Sequence, residues 1–184
     1  MTKSDPWYTH AILYTVIVIL AALLIKVAII DPKEEVAQEK YNKAESRLRM
    51  KNIKEAQILW EKKFGRFTAN LDSLVNFIKN DKMVQQVRTG YDSLSRRPTD
   101  PFVELTHGEF TPDSLFRTPK SWRFYTLQID TSEQVDTVVN RQGKLLRVDK
   151  YTVIGKRYFI EDPDGYGTVG SLADDALKNT SSWE

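Results

Sequence analysis

Followed from one end to the other, the apolar and polar positions of the chain change rhythm three times. Ala11 to Ile30 is an apolar run that carries a single charge, Lys26. At about 1.5 Å of rise per residue, a helix of this length spans roughly the 30 Å hydrocarbon core of a bilayer. Its six Ile, four Leu and three Val, worth roughly −0.5 kcal/mol each, outweigh the roughly +3 kcal/mol of a centrally placed lysine. Lys26 is not central: it lies toward the C-terminal end, where its stem carries the ammonium to the headgroups. Trp7, Tyr8 and Tyr14 supply an aromatic belt on the other side. No basic stretch precedes the run and no small-x-small site follows it at Ile29, Ile30 and Asp31, so it reads as an uncleaved anchor rather than a signal peptide. Residues 1–10 are then a short tail and residues 11–30 a transmembrane helix.

From residue 31 the period is helical and the composition polar. Asp31 can cap a new or kinked helix with Pro32 in its first turn, and Glu34 and Glu35 suit its positive end. Lys33 to Phe64 contains no Gly or Pro and is dominated by Ala, Glu, Lys, Gln and Arg, all good helix formers. Tyr41, Ala44 and Leu48 form one stripe; Ile53, Ala56 and Trp60 continue it after a phase slip, with Ile58, Leu59 and Phe64 widening the apolar face. Residues 31–64 are thus expected to be a stalk that turns into the spine of a domain, with Arg47, Arg49, Lys51 and Lys54 on a solvated face. Gly65 ends the helix behind Lys62 and Lys63. A shorter helix follows, capped by Thr68 or Asn70, with Leu71, Leu74, Val75 and Ile78 at helical spacing.

Asn80 to Pro101 reads as a loop, with a helical turn around Met83 to Val87. From Trp122 the period becomes two: Tyr125, Leu127 and Ile129; then Val135, Thr137 and Val139; then Leu146 and Val148; then Tyr151, Val153, Tyr158 and Ile160. Arg141-Gln142-Gly143-Lys144 is a turn, which predicts an antiparallel meander. Its apolar face needs a cover, and the long helix is the element large enough to supply one. The fold class is therefore α+β, a transmembrane helix continuing into a spine helix packed on a small antiparallel sheet, with residues 65–184 as the globular portion.

Composition narrows the chemistry. Lys and Arg number 27 against 25 Asp and Glu, and the signs are interspersed, so nucleic acid is not an expected partner. The absence of Cys removes disulfides, thiolate chemistry and Cys-based zinc sites. Of the two histidines, His10 sits at the membrane edge and His107 between Thr106 and Gly108, neither at metal-ligand or triad spacing. No phosphate-binding Gly-rich loop, HExxH or nucleophile elbow occurs, and the chain is expected not to be an enzyme or to take a small-molecule substrate. One cluster bears on metal: Asp162-Pro163-Asp164-Gly165-Tyr166-Gly167 places carboxylates two apart before a glycine, and Asp174 and Asp175 are near enough in sequence to join them around calcium. The plainer reading of the cluster is a proline-led turn that closes the last strand.

The order of elements, with Gly65-Arg66-Phe67-Thr68 after the long helix and a Gly/Asp/Ser-rich tail ending near Trp183, resembles the type IV pilin-like proteins, most nearly the pseudopilins of type II secretion. The matching stretches are Ile53 to Thr68, Asp162 to Gly167, Asp174, Asp175 and Trp183. The resemblance implies a calcium-binding acidic loop and a bacterial envelope role. The family's glycine cleavage site, phenylalanine and glutamate are not found around Asp5 to Tyr14, so it also implies a domain kept on a fixed anchor. The expected function is a non-catalytic, single-pass inner-membrane subunit of a secretion, assembly or motor complex, its domain periplasmic. Other membrane helices would approach through Ala21, Ala22 and Ala28, where small side chains admit close contact, with Lys26 as a further membrane or partner residue. Other proteins would bind the stalk from Val36 to Leu48.

The charges on either side of the anchor conflict over orientation. Only Lys3 precedes the anchor, whereas Lys33, Lys40, Lys43, Arg47 and Arg49 follow it, which by the Lys/Arg count places the domain in the cytoplasm as a membrane-tethered adaptor or regulator. Against that, the immediate flank is acidic, with Asp31, Glu34 and Glu35. A membrane-anchored hydrolase with carboxylates dispersed through the sheet is a further alternative.

Overall fold

The computed structural model describes residues 7–93, 96–140 and 142–184. They divide into two compact units, Met1–Asn42 and Lys43–Glu184. The division falls inside one long helix.

The first unit is helical throughout its described part: α1 spans Trp7–Ile25, a π-helical turn covers Lys26–Ile30, and α2 begins at Asp31. The chain does not break at Asp31-Pro32. Pro32 has no N–H to give and its ring crowds the carbonyl one turn back, and the wider π turn absorbs both demands: Asp31 N–H reaches Lys26 O, five residues back. No residue of α1 is buried. This is the one helix among the described residues long and apolar enough to cross a membrane, which fits a single-pass membrane protein.

The second unit is α+β. α2 ends at Phe64, and Gly65, at φ +71°, makes the left-handed exit that a glycine allows. α3 (Leu71–Asn80) is capped by the Asn70 side chain, which accepts from Ser73 N–H at 2.9 Å. α4 (Lys82–Thr89) follows at once, capped by Asp81, so the turn foreseen around Met83 to Val87 is a full short helix. A minimal ladder joins β1 (Tyr91–Asp92) to β2 (Arg97–Pro98), and a 3-10 turn spans Pro112–Leu115. The main sheet is antiparallel, in the order β3 (Thr126–Val139), β4 (Leu145–Glu161), β5 (Thr168–Gly170).

The core lies between α2 and the base of this sheet. Met50, Ile53, Ala56 and Leu59 of α2 are buried with Leu74, Val75, Phe77 and Ile78 of α3, Val84 of α4, and Tyr125, Tyr158, Ile160 and Val169 of the sheet side. Phe77 meets Trp60 edge-on at 5.2 Å between ring centroids, and Phe67 lies 4.6 Å from Tyr158. The last residues join this body: Ser182 N–H donates to Thr168 O, and the Trp183 indole lies on Gly167, where a Cβ would stand 2.5 Å from the ring.

Two sequence expectations are corrected. The four period-two runs are not four strands of a meander but the halves of two long ones. Nothing between Ile129 and Val135 forms a turn, so the chain runs on, and the mismatch is absorbed by a bulge between Ile129 and Thr131. There Gly155 takes φ +72°, its carbonyl accepts Phe67 N–H at 2.7 Å, and Asp130 accepts from Arg157 N–H and Nε–H at 2.8 and 3.0 Å. Below the bulge the hairpin packs on the core; above it Val135, Val138, Leu145, Val148 and Ile154 are exposed. The turn at the tip is held by Asn140 Oδ1, which accepts from Gln142 and Lys144 N–H; Arg141 lies outside the described residues.

The second correction concerns α2. Tyr41 and Ala44 are exposed and Leu48 only half-buried, whereas Glu45, Ser46, Asn52 and Gln57 are fully buried. The inward face of this helix is a row of polar residues interleaved with Met50, Ile53 and Ala56. Arg47 and Arg49 also leave the solvated face expected of them. Arg47 Nε donates to Tyr166 O at 3.1 Å with its guanidinium 5.1 Å from the Trp183 ring, and Arg49 donates to Glu45 and to Arg117 O.

Candidate functional site

On the apolar helix, Ala21, Ala22, Lys26 and Ala28 are all exposed. At helical spacing Ala21 and Ala28, seven apart, share one stripe, and Ala22 and Lys26, four apart, share the next. Lys26 opens the π turn with its carbonyl engaged by Asp31. The exposed surface of this helix thus carries small side chains near one cation.

The acidic loop is built as a turn. Asp162 O accepts Gly165 N–H at 3.0 Å, Asp162 Oδ1 accepts Asp164 N–H at 2.7 Å, and Gly165 takes φ +80°. Asp162 is buried, and its Oδ2 accepts from Ser46 Oγ, which lies 2.9 Å from the Tyr125 hydroxyl. With the serine proton directed at the carboxylate, Tyr125 donates to Ser46. Burial, with the negative charge of Asp164 alongside, holds the Asp162 carboxyl above the ordinary carboxylate range. Burial pushes the Tyr125 phenol up as well. Asp164 is lowered: burial opposes this, but hydrogen bonds from Ser121 and Thr118 and the charge of Arg123 prevail.

Asp174 and Asp175 do not join this pair. Asp174 caps a 3-10 turn, Asp175–Leu177, by accepting Ala176 N–H at 2.8 Å. Asp175 lies 3.6 Å from Arg157 Nε and 3.8 Å from Lys156 Nζ. The four carboxylates expected around calcium are thus engaged in two separate places, and no group of three or more His, Asp or Glu converges among the described residues.

What composition and spacing did not single out is the polar row of α2, and every member fastens a distant loop. Gln57 clasps Thr68 twice, through Nε2–H to its carbonyl at 2.6 Å and Oε1 from its N–H at 3.1 Å. Asn52 does the same for Val103, at 2.9 and 2.8 Å. Glu45 accepts from Thr106 N–H at 2.9 Å and from Thr106 Oγ, pairs with Arg49 at 2.8 Å, and stands 3.1 Å from His107 Nδ1. Burial raises its pKa, but the Thr106 and Arg49 hydrogen bonds and the Arg49 charge outweigh it and leave the carboxyl below its usual range.

Chemically this row is structural. Ser46 and Asp162 put a hydroxyl against a carboxylate, as a nucleophile and base would be, but both are buried beneath α2 and the loop, and Ser46 has no accessible surface for a substrate to reach. A backbone amide pair taken from water must be bonded, and each Asn or Gln clasp satisfies both groups of one loop residue. The signal in the sequence is faint: polar residues at 45, 46, 49, 52 and 57 share one helical face, but so would a solvated stripe. Comparison of the chain with models of protein families, with curated proteins and with solved structures finds no match.

Proposed function

We propose that the protein is a non-catalytic, single-pass subunit of a bacterial envelope secretion, assembly or motor complex, held in the inner membrane with a pilin-like domain in the periplasm. The observation that carries this reading is the run of exposed apolar helix that enters, with only a π turn, the helix on which an α+β domain is built. Such an arrangement ties the domain to its anchor through continuous backbone, as suits a part that transmits position or force. The buried polar groups of α2 are engaged in holding loops, which supports a scaffold rather than a catalyst. Contacts within the membrane are assigned to the Ala21, Ala22 and Ala28 lane, with Lys26 beside it.

The acidic flank of Asp31, Glu34 and Glu35 favours the periplasm; the Lys/Arg excess beyond it favours the second reading, a cytoplasmic membrane-tethered adaptor. The test is a topology reporter fused after Glu184. Alkaline phosphatase activity with a dark fluorescent-protein fusion is the expected result. The reverse pattern discards the envelope reading and leaves the adaptor.

A further inference from the structure

An open groove of about 540 Å³ lies on the second unit, between the start of α3 and the loop before β3. That volume falls in the roughly 300–1,000 Å³ range of small-ligand sites. Its lining sets Phe116, Trp122 and Phe124 beside Arg49, Arg117, Asp72 and Asp113. Trp122 is 69% exposed and Phe124 56% exposed, far from the behaviour of core aromatics in so well-packed a unit.

The Trp122 backbone is also out of the ordinary. Its φ is +58°, a left-handed conformation that a bulky side chain rarely takes. Three contacts enforce it: Arg117 Nη1 donates to Trp122 O at 3.0 Å, Thr118 N–H donates to Arg123 O at 2.8 Å, and Ser121 N–H donates to Asp164 Oδ2 at 3.2 Å. The Arg117 guanidinium in turn lies 4.6 Å from the Phe124 ring, and Arg49, anchored on Glu45, donates to Arg117 O at 2.7 Å. Backbone held against its preference by surrounding structure clusters where ligands are held. Here the strain has one visible product, an indole presented to solvent beside a second ring.

The chemistry of the lining selects the ligand. Asp113 is paired with Lys79 and Arg49 with Glu45, which leaves Asp72 and Arg117 lining the groove with no ion pair among the described residues. With one acid and one base left over, the lining has no net charge to hold an anionic phosphate or lipid headgroup, and a wholly apolar ligand gives neither group a hydrogen-bond partner. A ligand with a flat apolar face and a rim of uncharged hydroxyls meets every requirement: its C–H face stacks on Trp122 and Phe124, Asp72 accepts from hydroxyls, and Arg117 donates to their oxygens. We propose that the Trp122–Phe124 groove is a binding site for a neutral saccharide, one or two pyranose units stacking on these rings. The groove belongs to the second unit alone, so its test is independent of which side of the membrane that unit occupies.

The experiment uses the full chain in amine-oxide micelles, avoiding maltoside detergents whose headgroup is itself a sugar. Cellotetraose and chitotetraose are titrated separately, with saturation-transfer NMR on the saccharide and tryptophan fluorescence on the protein. Saturable binding is expected, with transfer concentrated on the sugar-ring C–H protons. Trp122→Gly removes the ring while placing at φ +58° the residue that favours it, so the variant keeps its fold. It should weaken binding by at least about tenfold, and Asp72→Asn by about threefold. Saturable binding of neither saccharide, or binding that survives Trp122→Gly unchanged, overturns the proposal. So does Trp122-dependent capture of a polypeptide with no response to either sugar, which would make the groove a protein contact.

Discussion

Glu45 is the sharpest test of the idea that α2 organises its unit through buried polar contacts. Its side chain has no exposure, and Thr106 N–H, Thr106 Oγ and the Arg49 guanidinium all donate to it. Removing one partner of a buried ion pair costs about 3–5 kcal/mol, because the other charge stays behind. Arg49 is 13% exposed and keeps its bond to Arg117 O, which puts Glu45→Ala at the low end, near about 3 kcal/mol. At roughly 3 °C per kcal/mol for a unit of this size, the melting temperature should fall by about 9 °C. Glu45→Gln keeps an acceptor for Thr106 but turns an NH₂ toward Arg49 or Thr106, and should cost about 2 kcal/mol. The pH dependence adds a signature. Because the folded-state pKa of Glu45 is depressed, its contribution is present above the unfolded carboxylate pKa and is lost as pH falls through the folded value. Asp130 is shifted the same way in wild type and variant alike, so the difference between the two reports Glu45 together with its Thr106, Arg49 and His107 contacts. Thermal unfolding followed by circular dichroism from neutral to acid pH, on Glu45→Ala, Arg49→Met and the double variant, measures both the gap and the coupling. A Glu45→Ala melting point within about 1 °C of wild type at neutral pH, or a gap that stays constant into acid, would refute the reasoning.

Asp162→Asn should be neutral at pH 7–8 or raise stability by about 1 kcal/mol, since a carboxyl with a raised pKa carries an uncompensated burial cost once ionised; a drop of several degrees would show the charge is needed. The gain should vanish below the carboxylate range, where wild type is protonated. Millimolar calcium against chelator should move the melting temperature by less than about 1 °C, because Asp162 and Asp164 are engaged apart from Asp174 and Asp175; a calcium shift that Asp162→Asn abolishes would reinstate the metal site. Gly167→Ala, whose Cβ would stand 2.5 Å from the Trp183 ring at φ +142°, should cost about 3 kcal/mol, against about 1 kcal/mol for Gly65→Ala, where nothing lies within 4 Å. Equal melting points for these two alanine variants would contradict the packing of Trp183 on Gly167.

Much of the architecture was legible because it follows from period and punctuation. The apolar run, the helix ending at Phe64 before Gly65, the Asn70 cap and the turn after Val139 all appear where local rules put them. Local rules failed where a residue acts at a distance. A strand boundary was expected after Ile129 because the apolar alternation lapses there, but the lapse is a bulge. Asp130 is polar because it reaches across to Arg157, and Gly155 is a glycine because Phe67 lies against its backbone.

The same distinction explains the inward face of α2. Hydrophobic periodicity finds the side of a helix that avoids water, and it finds Ile53, Ala56 and Trp60 because those positions meet other side chains. At Glu45, Asn52 and Gln57 the helix meets loop backbone instead: the N–H of Thr106, and both the N–H and C=O groups of Val103 and Thr68. A leucine in any of these places would satisfy the period and take the side-chain partner from a loop backbone group. The polar row is therefore what an apolar stripe becomes when loops, rather than helices or strands, pack on it. Asn52→Leu states the choice in one residue. It adds apolar burial of roughly 1–2 kcal/mol but leaves both Val103 groups without partners at roughly 1–3 kcal/mol each, so net destabilisation is expected. If Asn52→Leu instead melts higher than wild type, the loops are held by their own hydrophobic residues, Leu105 and Phe110 among them, and the clasps are incidental.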